Sequence, residues 1–170
     1  MKKMLFVVDY QNDFVSGTLG TPESKEITSS VKAKISAYRS ENYTVIFTQD
    51  THYDDTYFDT QEGRNLPIKH CIKNTWGWQI ADGIAVEDAK IIEKETFGIM
   101  NLSDYVPSDI DCVEIIGVCT DICVVSNALI LKSQRPELLI QVDASCCAGL
   151  TPENHTAALT VLASNQVNVL

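Results

Sequence analysis

The chain has 170 residues, of which 45% are hydrophobic and 21% are charged, enough for one well-filled core and too few for two domains of ordinary size. Its formal net charge of -10 argues against binding to nucleic acid or to an anionic membrane, because both depend on clustered Lys and Arg. We therefore expect a single domain over residues 1–170, with a small molecule as its partner and neither nucleic acid nor a membrane.

The first predicted element is a buried strand, MLFVVD, from Met4 to Asp9. Its apolar run is too short for a signal peptide core or a membrane span, so we expect a cytoplasmic protein. A helix with apolar residues at helical spacing follows from about Lys25 to Ser40, and Tyr43 to Asp50 forms a second strand. The segment from Thr51 to Cys71 is polar, aromatic and irregular, which marks a candidate functional loop.

The second half of the chain continues to alternate strands and helices. Strands are predicted at 89–95, 112–118, 137–143 and 167–170, and helices at 120–132 and 151–165. Thr151 is the expected N-cap of the last helix, with Pro152 at its first position. This alternation predicts a three-layer α/β/α, Rossmann-like fold with a mainly parallel six-stranded sheet. No glycine-rich phosphate loop follows the first strand, which argues against a flavodoxin-like domain and against any organic cofactor.

Sheets of this kind bind ligands at the carboxyl ends of their strands, and polar residues lie at those predicted ends. They are Asp9 after the first strand, Asp50 and His52 after the second, Lys94 at the third, the stretch Cys119–Cys123 after the fourth and Asp143 after the fifth. We therefore expect the functional site at this edge of the sheet.

Six cysteines are present without a secretion signal, so reduced thiols are expected. Cys119 and Cys123 have C-x3-C spacing and no second Cys/His pair, which fits neither a structural zinc site nor a C-x2-C redox pair. Cys123 falls about three residues into a predicted helix, with Thr120 or Asp121 as N-cap, where free N–H groups favour a thiolate and can hold an oxyanion. Two interpretations stay open for Cys123, a nucleophile or a buried core residue.

Two charged residues at strand ends have a functional and a structural interpretation. Burial of Asp9 at the end of a hydrophobic strand would suit it to proton transfer, although a turn-capping role fits the same position. Lys94 could keep that carboxylate ionised, or it could simply be solvated. The residues alone leave both choices open.

A possible metal site follows the second strand. Asp50 and His52 are two residues apart and so face the same side of an extended chain, and Glu62 and His70 follow in the next loop. Carboxylate and imidazole donors together suit zinc, iron or manganese. The alternative is that His52 and His70 are surface histidines.

Five motifs together indicate a family. They are VVDYQNDF at Val7–Phe14, TQDTH at Thr48–His52, PIKHC at Pro67–Cys71, KETFG at Lys94–Gly98 and GVCTDICV at Gly117–Val124. In this order they resemble the isochorismatase-like cysteine hydrolase superfamily, and most closely its nicotinamidase/pyrazinamidase branch. The resemblance covers nearly the whole chain, and the D-x-Q-x-D-F opening combined with G-V-x-T-D-x-C-V is specific. It implies the isochorismatase-like hydrolase fold.

The resemblance implies a catalytic triad of Asp9, Lys94 and Cys123, in which the aspartate takes the thiol proton and the cysteine attacks a carboxamide to form a thioester. It also implies an oxyanion hole built from the backbone N–H groups of Cys119 and Cys123, next to a cis peptide bond between Val118 and Cys119. The implied substrate is a small carboxamide, nicotinamide first among them, and the implied assembly is a homo-oligomer.

The resemblance also implies a divalent metal, either zinc, iron or manganese, at Asp50, His52 and His70, where it would hold the pyridine nitrogen of nicotinamide. Some members of the family have another histidine a few residues after the first. This chain has YDDTYFDTQEG in that region, and Glu62 is the residue that would replace the histidine as a ligand.

The aromatic residue that often precedes the last ligand histidine by three positions is replaced here by Pro67. Phe14 and Trp76 are therefore the candidates for stacking on the substrate.

Two alternatives to a metal-dependent nicotinamidase remain open: a metal-independent hydrolase of another small amide, such as a carbamoyl or ureido compound, and a non-catalytic ligand-binding domain of the same fold. Isochorismate hydrolysis is disfavoured because the members that cleave that vinyl ether need no cysteine at position 123.

Overall fold

The computed structural model describes all 170 residues of the chain. The strands are β1 (Lys3–Val8), β2 (Thr44–Asp50), β3 (Lys90–Lys94), β4 (Cys112–Val118), β5 (Leu139–Ala148) and β6 (Asn168–Val169). The α-helices are α1 (Asn12–Val15), α2 (Pro22–Glu26), α3 (Thr28–Ser40), α4 (Gln61–Asn65), α5 (Val125–Gln134) and α6 (Pro152–Ser164). Short 3₁₀ turns span Tyr57–Asp59 and Leu102–Tyr105, and a π-helical turn spans Thr120–Val124. No helix is long and apolar enough to cross a membrane.

All six strands lie in one sheet of order β3-β2-β1-β4-β5-β6, and every neighbouring pair is parallel. This confirms the predicted α/β class and the six-stranded parallel sheet. The chain runs from β1 outward through β2 to β3 and then returns to the other side of β1 as β4. The strand order therefore reverses between β1 and β4, which is the point where open parallel sheets bind their ligands.

The core is densest along β1 and β4, at the centre of the sheet. Leu5, Val7, Ile115 and Ile116 are completely buried, as expected of parallel strands covered on both faces. Each such side chain contributes about 1.5–3 kcal/mol through burial. Because right-handed crossovers in opposite directions along a sheet cover opposite faces, α3 lies on one face and α5 and α6 lie on the other.

The two central strands approach each other closely at Gly117. Its φ of +120° lies outside the region that side chains favour, and a Cβ there would overlap the carbonyl oxygen of Val8. A glycine is therefore required immediately before the loop that carries Cys119 and Cys123.

Two predicted elements differ from the structure in the first half of the chain. The helix expected from Lys25 to Ser40 is two helices, because α2 begins at Pro22 under a cap from Thr21, whose hydroxyl accepts from the Ser24 N–H, and ends before Ile27. The candidate loop from 51 to 71 contains α4 and a 3₁₀ turn. Thr151 does cap α6 with Pro152 at its first position, as predicted.

The fifth strand is longer than predicted, and this changes the role of Asp143. β5 continues to Ala148 after an irregularity in its pairing with β4. Asp143 therefore lies within the strand, and its Oδ2 pairs with Lys34 Nζ at 2.7 Å. The prediction that Asp143 belongs to the ligand-binding edge is wrong, since the strand end lies five residues further on.

Candidate active site

Asp9, Lys94 and Cys123 meet at the carboxyl edge of the sheet. Lys94 Nζ lies 2.7 Å from Asp9 Oδ2 and 3.6 Å from Cys123 Sγ. The three residues are 0%, 6% and 5% exposed, respectively. The structure thus brings together three residues from three separate strand ends in a site that is nearly closed to bulk water.

Burial governs the protonation of this group. It raises the pKa of the Asp9 carboxyl above its ordinary value, and the Lys94 ammonium opposes the shift only in part. Burial and the neighbouring Asp9 charge also raise the pKa of the Cys123 thiol well above its ordinary value, against the opposing effect of Lys94. These shifts favour a thiol at Cys123 in the resting site, and the thiolate expected at the helix start stays a prediction.

Lys94 holds the positive charge that the group needs. Although burial lowers its pKa, the nearby Asp9, Cys123 and Asp50 raise it well above the ordinary value. The ammonium form therefore persists inside the protein, where it can stabilise a negative charge on either the carboxylate or the sulfur.

Thr48 orients the Asp9 carboxylate. Its Oγ1 donates to Asp9 Oδ1 at 2.6 Å and accepts from the Asp9 N–H at 3.1 Å. Sequence reasoning missed this residue, although it quoted it in TQDTH. The signal that could have revealed it is the parallel register, because Val7 of β1 pairs with Phe47 of β2 and so places the residues that follow them side by side.

The loop that carries Cys123 differs from the predicted helix start. The turn is π-helical, its N-cap is Cys119 rather than Thr120 or Asp121, and no side chain caps it. The peptide bond between Val118 and Cys119 is cis. The Cys119 N–H donates to no carbonyl of the protein, so it is free to bind an oxygen of a ligand.

Two buried side chains hold this loop in place through hydrogen bonds. Asn127 donates to the Cys123 carbonyl at 2.8 Å and accepts from the Ile99 N–H at 2.9 Å. Thr120 Oγ1 lies 2.8 Å from His155 Nδ1, so His155 connects the loop to α6. The loop that carries Cys123 is thus tied to the segment that follows Lys94 and to α6.

A second cluster adjoins the first and consists of Asp50, His52, Glu62 and His70. One ligand atom from each residue lies within 4.8 Å of all the others. Asp50 Oδ2 is 3.0 Å from His52 Nε2, and Glu62 Oε1 is 3.4 Å from His70 Nε2. Two imidazoles and two carboxylates that converge in this way fit zinc, iron or manganese.

The surroundings of His70 favour metal binding. Its Nδ1 lies 2.9 Å from the Ile68 carbonyl oxygen, which can only accept, so a proton on Nδ1 suits this contact and would leave the Nε2 lone pair for a metal between Asp50 and Glu62. Tyr57 Oη lies 3.1 Å from the same Nδ1 and 2.8 Å from the Ile68 carbonyl oxygen. Tyr57 therefore contacts both groups that fix the orientation of the His70 ring.

Gln11 holds Asp50 in place through hydrogen bonds to its backbone. Its side chain donates to the Asp50 carbonyl at 2.9 Å and accepts from the Asp50 N–H at 2.8 Å, so it bonds both backbone groups of one residue. It is completely buried. Like Thr48, Gln11 lies inside one of the five sequence motifs, in this case VVDYQNDF. Its role could be recognised only once the structure showed its contact with Asp50.

Asp50 joins the two clusters. Its Oδ2 faces the histidines, whereas its Oδ1 lies 3.2 Å from Lys94 Nζ. Although burial opposes the shift, Lys94, His52 and His70 lower the pKa of Asp50 below its ordinary value. The carboxylate therefore stays ionised and available to both neighbours.

The two aromatic candidates differ in their surroundings. The Phe14 ring centroid lies 5.6 Å from that of His70, next to the candidate metal cluster. Trp76 is 49% exposed, and its Nε1 donates to Asp82, so its hydrogen bond ties it to the Asp82 loop and not to the triad.

A cavity of about 450 Å³ opens on the side of the metal ligands. It is lined by Thr51, His52, Tyr53, Thr56, Tyr57, Thr60, Gln61, Glu62, Asn65, Glu95, Thr96 and Phe97. No triad residue lines it, so the cavity reaches the site at His52 and Glu62 while Cys123 stays covered.

The parallel α/β fold and its buried Cys, Asp and Lys group are features of α/β hydrolytic enzymes. Comparison with known proteins leads to the same class. The isochorismatase domain matches residues 3–170, and the chain therefore belongs to the isochorismatase family. Within that family it resembles the nicotinamidases. It is 25% identical to the nicotinamidase of Saccharomyces cerevisiae over 214 residues, covering 99% of each chain.

Two solved structures show the same similarity. The nicotinamidase PncA of Bacillus subtilis is 26% identical, with a TM-score of 0.85 and 99% of each chain covered. The pyrazinamidase of Pyrococcus horikoshii in complex with zinc is 26% identical, with a TM-score of 0.83 and coverage of 100% of this chain and 99% of the other. The predicted family, branch and fold are confirmed.

Proposed function

We propose that this protein is a cysteine amidohydrolase that converts nicotinamide to nicotinate and ammonia through a thioester on Cys123. The observation that carries the proposal is the position of Lys94 Nζ, which contacts Asp9 Oδ2 and Cys123 Sγ at once inside a buried site. The similarity to nicotinamidases supports the choice of substrate. The family match over residues 3–170 supports a single hydrolase domain.

The first step is proton transfer from Cys123 to Asp9. Apart from Lys94, Asp9 Oδ2 has no partner in the protein, so it is free to accept the thiol proton. Burial raises the pKa of both groups, and a base with a raised pKa is the better acceptor. Lys94 then stabilises the thiolate that forms.

The thiolate attacks the carboxamide carbon, and the carbonyl oxygen becomes an oxyanion. We assign the N–H groups of Cys119 and Cys123 as its donors, because the Cys119 N–H has no other acceptor and such donors contribute about 10²–10³-fold in rate. Asp9 returns its proton to the amide nitrogen, the C–N bond breaks, and ammonia leaves behind a thioester.

Water completes the cycle. Asp9, now a carboxylate again, removes a proton from water as the oxygen attacks the thioester carbon. The C–S bond breaks, the proton on Asp9 returns to the Cys123 sulfur, and the carboxylic acid product departs and gives up its proton to solvent. One carboxyl group therefore acts as base and as acid in each of the two half-reactions, which requires that it keep a fixed orientation.

Asp50, His52, Glu62 and His70 would hold a zinc, iron or manganese ion at the edge of this site. When bound, the ion supplies a Lewis-acid position for the pyridine nitrogen, which fixes the ring and orients the carboxamide. Phe14, packed beside His70, offers the apolar surface for the ring. The donor set and the zinc in the Pyrococcus horikoshii relative support this part of the proposal.

The test is ammonia release from nicotinamide by purified protein, with and without zinc, manganese or iron. We expect metal-dependent release and a loss of at least about 10³-fold in Cys123→Ser, because the alcohol is a far weaker nucleophile at this site. Cys119→Ser is the matched control and should retain substantial activity, since only its backbone is used.

Three outcomes would contradict the proposal. Equal activity of Cys123→Ser and the wild type would exclude the thiol mechanism. Release from a carbamoyl or ureido compound, with none from nicotinamide under any metal, would exclude the assigned substrate. Full activity after removal of all metal would exclude a role for the cluster around His70.

A further inference from the structure

We propose that Thr48 is a positioning residue, whose hydroxyl sets which oxygen of Asp9 acts as the base. The inference rests on the proposed function in that Asp9 takes the thiol proton. It goes further by assigning the orientation of that base to one side chain of the neighbouring strand.

The geometry leaves Thr48 a single polar partner. Its Oγ1 donates to Asp9 Oδ1 at 2.6 Å and accepts from the Asp9 N–H at 3.1 Å. Both bonds are completely buried, because Thr48 and Asp9 are each 0% exposed. A hydroxyl that has one donor and two acceptor positions is thus committed to one residue through both its proton and a lone pair.

The Asp9 backbone explains why such a contact is needed. Asp9 directly follows β1 and has a φ of +47°, in the left-handed region, so it cannot continue the extended geometry of the strand. Its N–H bonds the Thr48 hydroxyl, and its carbonyl accepts from the Gln11 N–H at 2.7 Å. The Thr48 hydroxyl therefore serves the turn and the carboxylate together.

The consequence concerns the second oxygen. With Oδ1 held by Thr48, Oδ2 is directed to Lys94 at 2.7 Å, and Lys94 in turn lies 3.6 Å from Cys123 Sγ. Without the hydroxyl, the carboxylate can rotate about its last bond, and both its oxygens become candidates for the Lys94 contact. The base would then spend less time in the orientation that receives the thiol proton.

A purely structural role for position 48 makes a different prediction. Valine has nearly the shape of threonine and would fill the same buried space, but it carries no hydroxyl. Serine keeps the hydroxyl and loses only the methyl group. The pair Thr48→Val and Thr48→Ser therefore separates hydrogen bonding from packing.

The test is the rate of alkylation of Cys123 by iodoacetamide, followed by mass spectrometry of the peptide that contains Cys123. This readout depends on thiol activation by Asp9 and not on knowing the natural amide, so a failure of nicotinamide turnover leaves it interpretable. Asp9→Asn gives the rate without the base. We expect Thr48→Val to change the alkylation rate at least tenfold from that of the wild type, in the same direction as Asp9→Asn, and Thr48→Ser to stay within twofold of the wild type.

Two results would overturn the inference. Alkylation of Thr48→Val at the wild-type rate would show that the hydroxyl does not set the base, and an equal change of rate in Thr48→Val and Thr48→Ser would assign the effect to packing. Thr48→Ala removes the same hydroxyl without added bulk and replaces Thr48→Val if circular dichroism shows misfolding. With an identified substrate, we also expect kcat to fall while KM stays unchanged, because the hydroxyl does not touch the ligand.

Discussion

Replacing Gln11 by alanine tests whether this side chain holds Asp50, a ligand of the proposed metal site, in place. Gln11 makes three hydrogen bonds: two buried ones, to the Asp50 carbonyl at 2.9 Å and from the Asp50 N–H at 2.8 Å, and a partly buried one to the Trp78 carbonyl at 2.8 Å. At about 1 kcal/mol for each bond, their loss lowers the free energy of unfolding by about 3 kcal/mol, in addition to the cost of the cavity.

Gln49→Ala is the matched control. Gln49 is also buried, and its side chain makes one hydrogen bond, to the same Trp78 carbonyl at 2.8 Å. Both substitutions remove the same atoms, so the packing cost is similar, and the two variants should differ by two hydrogen bonds, or about 2 kcal/mol. For a chain of this length, that corresponds to a difference of about 4–8 °C in melting temperature.

The assay is urea unfolding of both variants at pH 7, combined with zinc binding by competition against a coloured chelator. We expect Gln11→Ala to be the less stable of the two and to bind zinc more weakly than Gln49→Ala, because Asp50 is free to shift. A stability difference below about 0.5 kcal/mol, within the scatter of a single hydrogen bond, would refute the assignment of Gln11 as the residue that holds Asp50.

Two further predictions concern a ligand and an ion pair. Tyr57→Phe removes the hydroxyl 3.1 Å from His70 Nδ1, and we expect zinc affinity to fall by about tenfold, measured by chelator competition; unchanged affinity would contradict this. Although burial opposes it, Lys34 and Ser145 lower the pKa of Asp143 below its ordinary 3.8. The ionised form therefore stabilises the protein above that pH, and the contribution is lost as pH falls through the lowered pKa. Asp143→Asn should thus be less stable at pH 7, and its difference from the wild type should shrink in urea unfolding below pH 3.8.

The strands at the centre of the fold were predictable because their residues are mostly apolar. β1 is apolar after Lys3, and β4 is apolar except at Glu114, which is typical of parallel strands covered on both faces. β5 was cut short at Asp143 because ASCCA, residues 144–148, mixes small and polar residues and lacks the same pattern. Its continuation depends on pairing with β4, which a local pattern does not contain.

The same distinction applies to the site. Asp9, Lys94 and Cys123 stand in recognisable motifs, and the structure places them together. The roles of Thr48 and Gln11 were not predictable, because each acts on a residue 39 positions away. A short stretch of sequence can suggest that a polar residue is buried, but it does not contain the distant hydrogen-bond partner that offsets the cost of burying it.

The position of Asp50 between two clusters bears on how relatives of this protein should be read. One oxygen contacts Lys94 and the other faces the histidines, so a relative that binds no metal would still need this carboxylate to balance the lysine. An aspartate at the equivalent position is therefore a poor marker of metal dependence. The members of the proposed metal site that do not contact Lys94, such as His70 and Glu62, are the positions whose loss would indicate that a relative binds no metal.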